Sequence, residues 1–374
     1  MSTATVVGAG VFGASTAREL ARRGWRVTLV EQYTPGTVRS ASGGDTRLLR
    51  FAHGDEEWYT RSAVRARELW LDLQEETRQR IWEPVGVAWF ESGDGDFNPR
   101  SEATLARLGV VTERLTPEAA RKLYPSVGGD DLRSVLFEPD AGVLYARRAT
   151  RLLAAGLPME IRRATADDPP RTDVVVWACG AWLPQLFPGL VELKIVRREV
   201  YFFGVDGSWS GTPGFADFDS AFYGHGDLEG LGTKIAPDGG GEEIDPDTLE
   251  RLPSREVELA VRRYAARRFP ALADAPVVGA RVCQYSLTGD THFLVAPHPE
   301  REAWWLIGGG SGHGFKHGPA LGEYVADCVE GKRSPEAFHA LGPRGDVVTL
   351  RTATAVAWSA SRVSGSSRGE TVLP

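Results

Sequence analysis

Gly8, Gly10 and Gly13 stand at the G-x-G-x-x-G spacing, directly after the β-branched run Thr5-Val6-Val7 and before a helical stretch, Ala14 to Arg23. That pattern can hold a pyrophosphate. Gly8 permits the tight turn, Gly10 lets the backbone approach the phosphates, and Gly13 lets helix and strand pack closely, so the helix N-terminus points at the anion. A second strand, Val27-Thr28-Leu29-Val30, ends in Glu31, about 20 residues beyond the glycines, where a ribose-binding carboxylate belongs. The stretch predicts dinucleotide binding, with Val11 and Phe12 inside the phosphate turn. NAD and FAD both stay open on these residues. Two further places carry chemistry. Arg47 and Arg50, three positions apart, share one face of a helical turn, and spacing alone makes them a solvated basic edge. Two small-residue turns, Cys179-Gly180-Ala181-Trp182 and Gly308 to Lys316, follow buried apolar runs and let a ligand approach the backbone.

The elements that must position these residues are bounded by composition. With 374 residues, 42% hydrophobic and 25% charged, the chain is an ordinary globular one, long enough for two packed domains. A net charge of −7 argues against nucleic acid or an anionic membrane as partner. No apolar run reaches the length of a membrane span, and Met1-Ser2-Thr3 leads straight into the first strand, leaving no room for a signal peptide. Cys179, Cys283 and Cys328 are odd in number and widely spaced. They show neither a zinc spacing nor a disulfide framework, which predicts a reduced cytoplasm and no metal.

Helical periodicity predicts helices over 62–80, 146–155, 256–268 and 320–329, and the Thr116-Pro117-Glu118 start signal another over 116–123. Strands are predicted over 85–90, over 173–178 and 304–307 as buried runs, and as strand, turn, strand over 135–144. The polar segment 91–99 reads as a loop. The whole is an α/β (α+β) chain: a Rossmann-like nucleotide domain assembled from 1–82, 140–193 and 276–342, and a second, antiparallel β-rich domain from 83–139 and 194–275 that roofs the site. The Ser-, Thr-, Arg- and Gly-rich tail over 343–374 is expected to be weakly ordered.

Seven collinear stretches carry a resemblance. They are Gly8-Ala9-Gly10, Gly44-Asp45-Thr46-Arg47, Phe137 to Val143, Gly180-Ala181-Trp182, Ile244 to Thr248, Val282-Cys283-Gln284-Tyr285 and Ser311 to Lys316. In them the chain resembles the monomeric sarcosine oxidase/N-methyltryptophan oxidase group of flavin amine oxidases, within the D-amino-acid-oxidase-like superfamily. The resemblance implies an FAD-binding domain of glutathione-reductase type, with Thr46, Gly180 and Trp182 among the residues at the cofactor. It implies that FAD is joined by a thioether at Cys283, with Arg47 beside its ring. Arg50 and Lys316 then hold the substrate carboxylate. Gly312, Gly314 and Phe315 lie at a helix N-terminus that stabilises negative charge at the flavin's pyrimidine end. Tyr223 is the active-site tyrosine, and Lys234, eleven positions on, activates oxygen through a water.

The reaction so implied takes a secondary amine in a carboxylate-bearing substrate, an N-methyl or cyclic amino acid, to its imine while O2 becomes H2O2, in a monomeric enzyme. Two departures stand out. The family's histidine two positions before Asp-Thr-Arg is Gly43 here, which predicts room for a bulkier substrate, with Trp89, Tyr201, Phe222 and Tyr223 lining an aromatic pocket. The segment Ala155 to Asp173 is shorter than the family's hairpin-bearing one. Three rivals remain on sequence: an NAD-dependent reductase using only the N-terminal fold, an FAD-dependent dehydrogenase or desaturase of a biosynthetic pathway, and a flavin-fold protein that binds without turnover.

Overall fold

The computed structural model describes residues 1–342; the expected weakly ordered tail, 343–374, lies outside the described residues. The first β-branched run forms strand Thr3–Val7, buried at four of its five positions, and it sits at the centre of a six-stranded sheet. Arg26–Glu31 pairs with it in parallel on one side and Val174–Trp177 on the other. Trp304–Gly308 and then Leu294–Pro297 extend one edge, and Met159–Ile161 closes the other. Every side chain of Val174–Trp177 is buried, as an apolar parallel strand with both faces covered requires. Helices Val11–Arg22, Glu57–Thr77 and Gly318–Val329 pack together on this sheet's side of the core. Gly322 makes their contact close: a Cβ there would lie 2.7 Å from the Ser15 carbonyl oxygen.

A larger sheet of eight strands runs in the order Val277–Leu287, Lys194–Phe203, Thr233–Pro237, Phe222–His225, Gly214–Asp217, Val87–Glu91, Ser134–Glu138, Glu113–Leu115. Its pairings are antiparallel except where Gly214–Asp217 meets Val87–Glu91. Val277–Leu287, placed on sequence within the nucleotide segment 276–342, pairs with Lys194–Phe203 from Lys194↔Leu287 to Phe203↔Val277. It belongs to the larger sheet and carries Cys283 and Tyr285 from there toward the smaller one. Helix Arg255–Arg268, capped by the Ser254 hydroxyl accepting from Val257 N, packs on this sheet's second core.

The predicted strand, turn, strand over 135–144 is a crossing between sheets. Ser134–Glu138 lies in the large sheet, whereas Gly142–Leu144 lies in a three-stranded sheet with Arg47–Leu49 and Trp82–Glu83. The loop expected over 91–99 yields at Phe97 to a further helix, Phe97–Arg107, masked on sequence by Pro99. Proline in a first helical turn forfeits no bond, because those N–H groups have no intrahelical partner. Conversely, the helix expected over 116–123 is the single turn Pro117–Ala120, capped by Thr116. Among the described residues no helix is long and apolar enough to cross a membrane.

Candidate active site

One cleft, with about 1630 Å3 of atom-free space including its open mouth, takes its walls from both large sheets. The cleft runs from the glycine turn at Gly8 and Gly10 past Arg47 to Arg50 and Lys316, so its lining is extended in the way a dinucleotide with a substrate beyond it requires. At one end lies the glycine turn. Gly8 has φ +101°, and a Cβ there would stand 2.5 Å from the Ala178 carbonyl oxygen; at Gly13 it would stand 1.9 Å from that of Gly8. Both positions therefore require glycine. Gly10 heads helix Val11–Arg22 with no side chain capping it, and the nearest atom to an added Cβ is Ser42 Oγ at 3.4 Å. The helix N-terminus thus faces open space, as anion binding needs. Ser42, which sequence did not single out, accepts the Val11 N–H at 3.0 Å. Glu31 is fixed by Ala9 N at 2.8 Å and Tyr33 N at 2.9 Å, and burial raises its pKa. Gly180 and Trp182 also line the cleft, the Trp182 indole donating to Asp247 at 2.9 Å.

In the middle, Arg47 is held by the carbonyls of Thr46 and Ala41, each at 2.7 Å, and its Nη2 lies 3.5 Å from Cys283 Sγ. The same guanidinium stands 5.9 Å from the Phe315 ring. Cys283 is buried just behind the wall formed by Ala41, Arg47 and Tyr285. Cys179 lines the cleft too, but its thiol donates to Val7 O and burial pushes its pKa up.

Farther along the cleft Arg50 and Lys316 meet from opposite parts of the chain. Both are almost wholly buried, and each is held by a backbone carbonyl: Arg50 by Ala52 O at 2.6 Å, Lys316 by His313 O at 2.9 Å. Burial lowers both pKa values, Arg50 to about 10. Behind Arg50 the Trp89 ring lies at 4.8 Å, and its indole donates to the fully buried Glu138, which also receives the amides of Phe51 and Ala52. The solvated basic edge that spacing suggested is, for Arg50, a buried wall.

Lys234 stands one layer back, outside the cleft's lining, with Nζ 3.2 Å from Thr46 O, 3.4 Å from Thr46 Oγ1 and 5.3 Å from the Tyr223 ring. Burial, reinforced by Arg47, lowers its pKa to about 7. His225 Nδ1 bonds the Gly226 carbonyl at 2.7 Å, so it carries the proton. Burial and Lys234 keep the ring neutral, with a pKa of about 3. Its Nε2, 2.7 Å from Thr46 Oγ1, must accept the threonine hydroxyl, which leaves that oxygen to accept from Lys234. Tyr223 lines the cleft 3.4 Å from the Tyr285 hydroxyl, which donates to Asp238 at 3.3 Å.

Two sequence expectations fail. Of the four aromatic side chains expected to make a pocket, Tyr223 alone is in the wall. Trp89 sits behind Arg50, Tyr201 bonds Glu199, and Phe222 stacks on Tyr264 at 4.1 Å in the second core. Strand alternation puts Phe222 and its neighbour Tyr223 on opposite faces. Phe12, Tyr33, Trp182, Phe218, Tyr285 and Phe315 are among the cleft's other rings. Nor does Gly43 open space: a Cβ there would lie 1.8 Å from the Thr37 carbonyl oxygen, so the loop's own backbone fills that direction. The Gly310–Gly314 turn is close-packed, with a Cβ at Gly312 reaching within 2.6 Å of Tyr285 and one at Gly314 within 2.7 Å of Phe12.

The residues present fit FAD: a helix start led by glycine on the cleft wall, a buried carboxylate 22 positions from the amide it accepts, and Ser286 Oγ, buried on the wall without a protein partner. A family model described as FAD dependent oxidoreductase matches residues 3–328. The chain is similar to the monomeric sarcosine oxidase of Arthrobacter sp. (strain TE1826), 30% identical over 361 residues that cover 87% of this chain and 92% of that protein. It is also similar to the N-methyl-L-tryptophan oxidase of Salmonella heidelberg (strain SL476), 28% identical with 87% and 94% covered. Two solved structures share the fold. The L-proline dehydrogenase from P. horikoshii has a TM-score of 0.79 at 23% identity, covering 90% of this chain and 95% of that one. The fructosyl peptide oxidase from E. terrenum has a TM-score of 0.80 at 19% identity, covering 95% and 94%. A match running through every strand of both large sheets is a match of the whole fold, and the chain accordingly belongs to the FAD-dependent oxidoreductase family.

Proposed function

We propose that this enzyme oxidises the C–N bond of a secondary amine in a small carboxylate-bearing substrate, an N-methyl or cyclic amino acid, with O2 as acceptor and H2O2 as product. The observation that carries this reading is the pair of buried cations, Arg50 and Lys316, each held by a carbonyl and not by a carboxylate of the chain. Such a pair has charge to offer a ligand, and a planar guanidinium suits a carboxylate. Bound FAD supplies the two-electron oxidation and passes the electrons to oxygen. The protein's part is orientation and electrostatics. Two cations beside the substrate favour its amine in the neutral form, which the oxidation requires. Tyr223, bonded through Tyr285 to Asp238, holds a hydroxyl proton on the facing wall.

Cys283 is the attachment point in this reading, with Arg47 beside it, and Lys234, held by Thr46, is the cation that serves oxygen. The cofactor lies between the glycine turn of the six-stranded sheet and Cys283 of the eight-stranded one, and Arg50 and Lys316 form the substrate side. The enzyme acts as a monomer, and its three unpaired thiols suit a reducing cytoplasm. The test is peroxide release by the yellow protein across a panel of N-methyl and cyclic amino acids. Peroxide with at least one of them, lost in Arg50→Met, is the expected result. Reduction of an artificial acceptor without peroxide makes the enzyme a dehydrogenase, and no turnover with either acceptor overturns the reading.

A further inference from the structure

Three imidazoles converge beside the substrate end of the cleft: His53, in the loop after strand Arg47–Leu49, His313, in the glycine turn, and His317, at the start of helix Gly318–Val329. All are buried, at 1%, 6% and 0% exposure. Their ring centroids stand 5.3 to 5.9 Å apart, and one nitrogen of each lies within 4.8 Å of one from each of the others. One nitrogen of each ring is anchored: His53 Nδ1 to Phe51 O at 2.8 Å, His313 Nε2 to Thr291 O at 3.0 Å and His317 Nδ1 to Ser62 Oγ at 3.0 Å. A carbonyl only accepts, so His53 carries its proton on Nδ1 and His313 on Nε2. The second nitrogens, His53 Nε2, His313 Nδ1 and His317 Nε2, are buried with no hydrogen-bond partner.

Core packing alone leaves this arrangement unexplained. Each buried unsatisfied nitrogen carries an uncompensated desolvation cost, and phenylalanine would fill the same space without it. From the convergence and the three bare nitrogens we infer that His53, His313 and His317 form a binding site for a divalent first-row transition ion of the Zn2+ class. Three neutral imidazoles with a fourth position open are a zinc ligand set, and imidazole selects Zn2+, Ni2+ or Cu2+ over Mg2+ or Ca2+. The anchored nitrogens are the outer partners that fix tautomer and ring orientation in such sites. Burial already holds all three imidazoles neutral, the form that ligates. Bonds of 2.0–2.1 Å place ligand nitrogens about 3.3 Å apart around a tetrahedral ion, so binding draws each ring inward by no more than about an ångström. Arg50 and Lys316 lie near enough to act on all three rings, so the fourth ligand is an anion, a hydroxide or a carboxylate, reached past His313, which lines the cleft. The ion would tie the loop carrying Arg50 to the turn carrying Lys316.

The experiment is Zn2+ titration of the FAD-loaded protein, followed by metal analysis after exhaustive dialysis and by the spectrum of the Co2+-substituted form. One Zn2+ per chain is expected, with a tetrahedral Co2+ band, and at least a 100-fold weaker affinity in His53→Phe and in His317→Phe at an unchanged FAD-to-protein ratio. His53→Gln, which keeps a polar side chain, gives the same loss should the phenylalanine variants fail to fold. Less than one ion retained by the wild type, an octahedral Co2+ spectrum, or equal affinity in folded variants overturns the site and leaves three imidazoles sharing buried water. None of these readouts depends on which amine is oxidised.

Discussion

Lys234 carries a charge that its surroundings resist. Burial and Arg47 lower its pKa to about 7, whereas in the unfolded chain it titrates near 10.4. Below pH 7 both states hold the proton, and the penalty of the buried charge is fully present. Between about 7 and 10 the native state has shed the proton and the unfolded state has not, so stability rises with pH by up to ~1.4 kcal/mol per pH unit from this group. The flavin-free wild type should therefore gain stability over Lys234→Met as pH rises from 7 to 9, measured by denaturant unfolding, and a flat difference would remove the assigned shift. Cys283 makes a second residue-scale prediction. Flavin should stay with acid-precipitated wild-type protein and leave Cys283→Ser, and colour retained by the serine variant would place the attachment elsewhere. The sequence showed these residues unevenly. The spacing of Gly8, Gly10, Gly13 and Glu31 is local and was legible unaided. The meeting of Arg50 with Lys316 spans most of the chain, and a resemblance was needed to join them. His313 and His317 stand four apart, a visible metal-ligand spacing, but His53 becomes their neighbour only through the tertiary fold.

At the scale of elements, boundaries moved where a local signal had two meanings. Pro99 stops a helix on sequence but sits harmlessly in the first turn of Phe97–Arg107. Apolar runs over 135–138 and 142–144 look like one hairpin, yet they serve different sheets because the turn between them crosses from one to the other. The loop 34–44 shows the same limit. Gly43 reads as a missing side chain, whereas the backbone at Thr37 already occupies the Cβ position. Gly43→Ala should then cost about 1–3 kcal/mol, the range for forcing atoms into packed structure, and should lower FAD content, because Ser40, Ala41 and Ser42 line the cleft. Gly207→Ala, where an added Cβ meets nothing within 4 Å, is the control and should be near neutral. Thermal unfolding and the ratio of flavin to protein absorbance measure both. A neutral Gly43→Ala would mean that the loop relaxes freely, and the room expected for a larger substrate would then be available after all.

Across the whole molecule, one core takes residues from both large sheets, and a second core under helix Arg255–Arg268 is pinned by an ion pair with no exposure on either side. Arg268 Nε lies 3.1 Å from Asp217 Oδ2, and the guanidinium also reaches Gly128 O, Ser92 Oγ and Asp131. Asp217 further accepts from Tyr264 at 3.1 Å and from Ser220 N at 3.0 Å. One pair thereby joins helix Arg255–Arg268, strand Gly214–Asp217 and the segment around Gly128. Removing one partner strands a buried charge, which costs about 3–5 kcal/mol, whereas replacing both by apolar side chains of similar volume can be nearly neutral. Arg268→Met and Asp217→Leu should each destabilise by that amount, and the double variant should recover a large part of the loss. The position matters as much as the size. Neither residue lines the cleft, and Asp217 pairs with Phe90 and Phe222 on neighbouring strands, remote from the phosphate turn. Folded Arg268→Met should therefore keep its flavin spectrum while its unfolding midpoint drops. Equal loss of flavin and stability, in a denaturant titration followed by flavin fluorescence and by far-UV circular dichroism, would show that the two sheets unfold as one unit. Flavin release at a higher denaturant concentration than the loss of large-sheet structure would show that the cofactor-holding sheet stands by itself.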